Sequence, residues 1–233
     1  MLEKTKGIVL NHIKYKESSI IVKIFTEHLG TQSFVVNSVR SKKSKGKIAL
    51  FQPLTILDLV VYYNEKRNIH RLSEYKNLVP FRSIPFDVYK STIGIFLSEI
   101  LYKTLLEEEQ ENILLFEFLS NSIETLDELE DNVENFHLLF LLKLSQYFGL
   151  RTNSFSDMQA ELIDNSVLSN TEMLNNNEIK KFEELSDFSY LDSISINNFE
   201  RRKMMNTVLG LYSLHFPSLK NLKSLTVLRE VLS

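Results

Sequence analysis

The chain has 233 residues, 43% hydrophobic and 24% charged, with 6 Gly and 4 Pro; it is long enough for one large domain or two modest ones and excludes a wholly disordered or collagen-like polymer. Having no cysteine, it can form no disulfide, thiol nucleophile, iron–sulfur cluster or cysteine-ligated zinc site. The net charge of −3 conceals a division: residues 1–80 carry 14 Lys/Arg against 6 Asp/Glu, a net +8, and residues 81–233 carry 13 against 24, a net −11. A basic module followed by an acidic one is expected, the basic one suited to an anionic polymer.

From Gly7 to Val79 short runs rich in Ile, Val, Phe, Thr and Tyr are separated by turn signals, which predicts five strands. They fall at about Gly7–Lys14, Ser19–Thr26, Thr31–Val39, Leu54–Tyr63 and Ile69–Val79, with His28-Leu29-Gly30 as a tight turn. In the second, Ile20, Val22 and Ile24 alternate with Ile21, Lys23 and Phe25, so both faces carry apolar groups. Five strands in about 80 residues, with a long basic connection before the fourth, favour a closed barrel of the OB type over an open sheet with bare edges.

From Pro85 the period becomes helical. Tyr89, Ile93, Phe96 and Ile100 share one face, and Leu97, Leu101 and Leu105 widen it. Further helices are expected over about Glu111–Leu129, Glu134–Phe148, Asn176–Ser186, Asn198–Phe216 and Ser224–Leu232. The stretch FHLLFLLKL, Phe136 to Leu144, is apolar nearly all round and marks the central helix of a bundle; it is far shorter than the ~20 residues of a membrane span. With no secretory cleavage pattern after the first ten residues, a cytoplasmic protein is expected. The fold class is therefore α+β: an N-terminal OB-fold β-barrel over residues 1–80 and a C-terminal α-helical bundle over 81–233, with an irregular segment at about 149–177.

Catalytic patterns are missing. His12, His28, His70, His137 and His215 show no paired metal spacing, Gly46-Lys47 lacks the partner glycine and the Ser/Thr of a phosphate-binding loop, and there is no GxSxG. The carboxylates crowd into helical runs such as Glu107 to Glu111, the pattern of a solvated face. Neither an enzyme, a cofactor, nor a small-molecule substrate is expected. What stands out is RSKKSKGK, in which Arg40, Lys42, Lys43, Lys45 and Lys47 occur without an acid, with Lys14 and Lys16 expected nearby. Flexible ammonium groups on a loop between barrel strands hold phosphates without reading bases. Phe34, Phe51, Tyr62 and Tyr63 are candidates for stacking on bases.

The segment GIVLNHIKYKESSIIVKIFTEHLGTQSFVVNSVRSKKSKGKIALFQPLTILDLVVYY resembles the bacterial recombination mediator family RecO. Gly7-Ile8-Val9-Leu10, Glu17-Ser18, Phe25-Thr26-Glu27, Gly30, the basic loop and Gln52-Pro53 stand in the family's order, and the likeness continues to Leu222-Lys223-Ser224 before the last helix. The resemblance implies a protein of DNA repair and recombination, cytoplasmic and at the nucleoid. Such a protein binds single- and double-stranded DNA, anneals strands and, with RecR, helps load the recombinase onto DNA covered by the single-strand-binding protein SSB. Many relatives carry a four-cysteine zinc module; here Leu150 to Asn170 has neither Cys nor His, so no metal is carried over. The alternatives are a generic OB-fold RNA-binding protein and a protein adaptor.

For the SSB C-terminal tail, acidic and ending in an aromatic carboxy-terminus, the resemblance requires an apolar pocket rimmed by cations. In an acidic module the consecutive triplet Arg201, Arg202, Lys203 is the candidate rim, with Met205 and Tyr212 among the apolar walls and the amides at the helix start favouring an anionic end group.

Overall fold

The strand Ser19–Thr26 sends Ile20, Val22 and Ile24 to one side, all fully buried, and Ile21, Lys23 and Phe25 to the other. The computed structural model, which describes residues 1–40, 46–150, 155–169, 173–185, 187–193 and 195–232, shows why both faces are apolar. The inner set joins Val9, Phe34, Leu59 and Val61 in the core of a barrel, and Phe25, on the outer face, packs its ring 6.1 Å from that of Phe116.

Five strands, β1 (Leu2–Tyr15), β2 (Ser19–Thr26), β3 (Gly30–Val36), β4 (Ile56–Tyr62) and β5 (His70–Asn77), close in the order β1-β2-β3-β5-β4, with β4 returning to β1. The pairs are antiparallel except β3 with β5, the Greek-key closure of an OB barrel. β1 begins five residues earlier than its apolar run suggests, because Leu2 to Lys6 pair with Tyr62 to Asp58 although Glu3, Lys4 and Lys6 give them a polar look. Between β3 and β4 a 3-10 turn, Lys47–Phe51, drives Phe51 into the barrel core.

Helices follow: α1 (Val88–Thr104), α2 (Ile113–Glu128), α3 (Phe136–Tyr147), α4 (Phe155–Asp164), α5 (Asn176–Leu185), α6 (Asn198–His215) and α7 (Ser224–Val231). Packing divides the chain elsewhere than at residue 80. One compact unit is Met1–Asp87 with Gly94–Asp127, so the barrel takes most of α1 and nearly all of α2; the other is Val88–Ile93 with Glu128–Ser233. In the first, Gly94 lies against Leu54 and Ile84, and the stripe Phe96, Leu97, Ile100 and Leu101 is buried; Tyr89, in the second, is half exposed.

In the second unit α3 is buried on every side from Phe136 to Leu141, as its all-round apolar character requires, and it packs on α6. The segment expected to be irregular, 149–177, contains α4, a ten-residue helix whose Met158 and Leu162 are buried. Gly210 of α6 lets α4 close in: a Cβ there would sit 3.2 Å from both Leu162 Cδ2 and Val167 Cγ1. Of the residues expected to pin the segment, Leu162 and Leu168 are buried and Ile163 and Val167 half-buried, while the side chain of Phe155 lies outside the described residues.

Candidate nucleic-acid interface

The β1–β2 turn gathers cations because it is a short hairpin made of charged residues. Lys14 is the next-to-last residue of β1, Lys16 takes the left-handed conformation (φ 48°) that reverses the chain, and both side chains are exposed. The start of the basic connection is tied to this hairpin: the Arg40 N–H donates to the Ser18 carbonyl at 3.0 Å and its guanidinium to the Lys16 carbonyl at 3.4 Å. At the far end, exposed Lys47 opens the 3-10 turn, which is held to β1 by the His12 Nδ1 bond to the Phe51 carbonyl, 2.9 Å. Arg40 and the 3-10 turn that opens on Lys47 are thus each bonded to β1 or to its turn, where Lys14 and Lys16 lie. Lys42, Lys43 and Lys45 lie outside the described residues.

Cross-strand register extends this patch into a row on the outer face. Ile13 is opposite Ile21, Ile21 opposite Val35, Val35 beside Arg71, and Arg71 opposite Tyr62. Tyr62 and Ile13 are 50% and 57% exposed, so one aromatic, one cation and three aliphatic side chains are available between the β1–β2 turn and the β4–β5 loop with its Lys66 and Arg67. The other proposed stacking residues are not available. Phe34 and Phe51 are fully buried, and Tyr63 lies 4.8 Å from the ring of His70, itself buried. Burial, and then Arg67, hold the His70 imidazole below its ordinary pKa, and its Nε2 meets Gln32 at 3.1 Å. Arg71 was legible only once strand register was known, since nothing local marks a basic residue as facing a neighbour's aromatic.

The triplet of α6 is dispersed. Consecutive helical residues point about 100° apart, and each member meets a different partner. Arg201, 6% exposed, donates from Nε to Asn135 Oδ1 (2.9 Å) and from its guanidinium to Asn198 Oδ1 (2.6 Å); Lys203 is paired to Glu178 at 2.7 Å; Arg202 donates to the Arg229 carbonyl at 3.0 Å. Tyr212 is a core residue, its hydroxyl donating to the Leu141 carbonyl at 2.8 Å, and burial raises its pKa well above the phenol range. The helix-start amides are also engaged: Asn197 and Glu200 form a reciprocal capping box, and Glu200, held below the usual carboxylate range chiefly by Lys181, completes it.

Arg201, Arg202 and Met205 nevertheless line one cleft between α6 and α7, together with Arg229, Leu225, Leu228 and Leu232. Arg229 was missed in the sequence, although the i, i+3, i+7 spacing of Leu225, Leu228 and Leu232 marks the face beside it.

The zinc module of relatives has no counterpart among these residues: the chain has no cysteine, 150–170 has no histidine, and the described part of that stretch is helix α4 and its turn. The residues do not fit a zinc ion.

A closed five-stranded Greek-key barrel, with cations on its β1–β2 turn and a helical continuation, defines an OB-fold protein extended by a helical region. Comparison with known proteins makes this specific. Residues 1–81 match the family model "Recombination protein O N terminal" and residues 85–226 match "Recombination protein O C terminal". The chain is 38% identical over 242 residues to the DNA repair protein RecO of Phocaeicola vulgatus, covering 100% of both chains, and 40% identical over 239 residues to that of Flavobacterium psychrophilum, covering 99% of each. The chain belongs to the RecO family of DNA repair and recombination proteins. No helix of the described residues is long and apolar enough to cross a membrane.

Proposed function

We propose that this chain is a recombination mediator that binds single- and double-stranded DNA through the barrel, anneals complementary strands, and with RecR helps load the recombinase onto SSB-covered single strands. The observation that supports the reading is the bonded pairing of the β1–β2 turn, with its Lys14 and Lys16, to Arg40 at the start of the basic connection. Cations placed there cover phosphates and offset repulsion between two strands. The base-contacting work falls to Tyr62, Ile13 and their neighbours, which leave the hydrogen-bonding edges of bases free to pair. Nothing in this mechanism breaks or makes a covalent bond.

The helical part serves as the docking body for protein partners. The SSB tail fits the α6–α7 cleft, with the aromatic end among Met205, Leu225 and Leu228 and the carboxylates toward Arg202 and Arg229. The acidic charge of the rest of this part repels a tail of like sign, so docking depends on the few exposed cations of this cleft.

Strand annealing in the presence of SSB tests the reading, since a nonspecific basic protein is blocked where a mediator is not. Replacing Lys42, Lys43, Lys45 and Lys47 by Ala should lower the slope of log K against log salt by about 3, at ~0.7 per single-strand phosphate. An unchanged slope removes the loop from the interface, and preference for structured RNA in direct competition replaces the DNA reading with an RNA one.

A further inference from the structure

Between α1 and α2 the chain carries Glu107, Glu108, Glu109 and Glu111, and this acidic strap lies against the β2–β3 end of the barrel. The Thr31 N–H donates to the Glu108 carbonyl at 2.6 Å, and His28 Nδ1 donates to Glu111 Oε1 at 2.7 Å. Gly30, at φ +61°, runs so close beneath the strap that a Cβ would come within 2.5 Å of the Glu109 carbonyl carbon. The approach is possible only with glycine, so the contact is part of the fold.

Two side chains on the barrel face are engaged by it. Lys23 points outward from β2 between Asn11 and Ser33, one row from the open surface of Ile13, Ile21 and Val35, and the carboxylate acting on it is Glu109. Burial draws the Lys23 pKa down, and the Glu109 carboxylate opposes that shift. His28, about half exposed, is held by Glu111 on one ring nitrogen and lies 3.5 Å from Glu27 on the other.

We propose that Lys23 and His28 form a latent phosphate site at the β2–β3 end of the barrel, kept closed by the acidic strap, which competes with nucleic acid as an internal polyanion. The inference rests on the DNA-binding reading above. A half-exposed pair such as His28 with Glu111 contributes little to stability, so phosphates can replace the carboxylates. The backbone bond from Thr31 to Glu108 keeps those carboxylates in place to rebind when the strand leaves. The strap therefore limits how many phosphates the barrel holds at once and favours turnover of the strand over retention.

The test is a salt titration of the full chain with an unstructured thymidine oligonucleotide, comparing wild type with Glu109→Gln/Glu111→Gln. Glutamine keeps the size and hydrogen-bonding of the strap while removing its charge. Expected is tighter binding and a slope of log K against log salt larger by about 0.7–1.4, one or two further phosphates, with both gains lost when Lys23→Gln and His28→Gln are added. An unchanged slope, or a gain that survives the loss of Lys23 and His28, overturns the latent site while leaving DNA binding intact. Absence of salt-sensitive binding by wild type and variant alike overturns the DNA reading, and the latent site with it.

Discussion

Asp127, in the last turn of α2, holds Ser83 on both its backbone and its side chain: the Ser83 N–H donates to Asp127 Oδ1 at 2.9 Å, and the Ser83 hydroxyl donates to the Asp127 backbone carbonyl. The same carboxylate accepts from the N–H groups of Arg82 (2.7 Å) and Ile84 (2.8 Å), so three consecutive amides after β5 converge on one side chain 44 residues away. Burial by itself would raise the Asp127 pKa; the amides of Arg82, Ile84 and Ser83 outweigh it and hold the carboxyl below its ordinary value.

Asp127→Ala leaves those amides without their acceptor, and the chain should lose about 3 kcal/mol in urea unfolding, since bonds to a charged acceptor contribute about 1.5–3 kcal/mol each and do not add fully. Because the folded pKa lies below the unfolded one, the wild-type contribution is complete above about pH 4 and falls away as the pH drops through the folded value. Asp127→Asn should lose that acid dependence; an identical profile would refute the assignment.

His137 titrates in a different window. It is buried in α3, and burial first, then the charge of Arg201, push its pKa down to about 3. The unfolded imidazole takes up a proton near pH 6.5 and the folded one does not, so stability is at its full value above that pH. It should fall by about 1.4 kcal/mol per pH unit as the pH is lowered from 6.5 toward 3. His137→Gln should flatten the slope between pH 6 and 4.5, as measured by urea midpoints across that range.

Gly30 and Gly46 both have positive φ, 61° and 84°, but different surroundings. Gly46→Ala meets nothing within 4 Å and should cost only the backbone term, about 1–2 kcal/mol. Gly30→Ala adds a collision with the Glu108 and Glu109 backbone and should lower the thermal midpoint by clearly more. Equal midpoints in the two variants would show that the strap yields without cost.

Arg201 and Arg202 are neighbours in the chain with opposite expectations. Arg201→Ala strips partners from the buried Asn135 and from Asn198, and should destabilise the fold by about 2–3 kcal/mol. Arg202→Ala with Arg229→Ala removes the exposed cations of the α6–α7 cleft and should weaken binding of an SSB tail peptide with little change in stability or DNA affinity. Full peptide affinity in that double variant would place the tail elsewhere.

Elements whose pattern is local and strong were legible in the chain itself. β2 has the predicted limits, Ser19–Thr26, because a short run rich in Ile, Val, Phe and Thr is bounded by turn signals on both sides, and the all-round apolar run of α3 could be satisfied only by burial on every side. The barrel class followed from the same local signals, and the family from the resemblance of the segment Gly7 to Tyr63. Pairings between distant residues were not legible. The polar start of β1 is a strand because β4 supplies its hydrogen bonds, and α4, only ten residues long, gains its stability by packing on α6. The basic triplet reads as one patch in one dimension, yet a helix turns each successive side chain about 100°, so Arg201 became a core ligand of Asn135 and Lys203 an ion-pair partner of Glu178. Glu107 to Glu111 read as a solvated face. Glu107, Glu109 and Glu111 are indeed exposed, but the run is a connection between α1 and α2 and not helix, and its backbone lies on Gly30 and Thr31, about 80 residues earlier, because the left-handed Gly30 leaves room for a second backbone; no periodicity encodes where such a space will be filled.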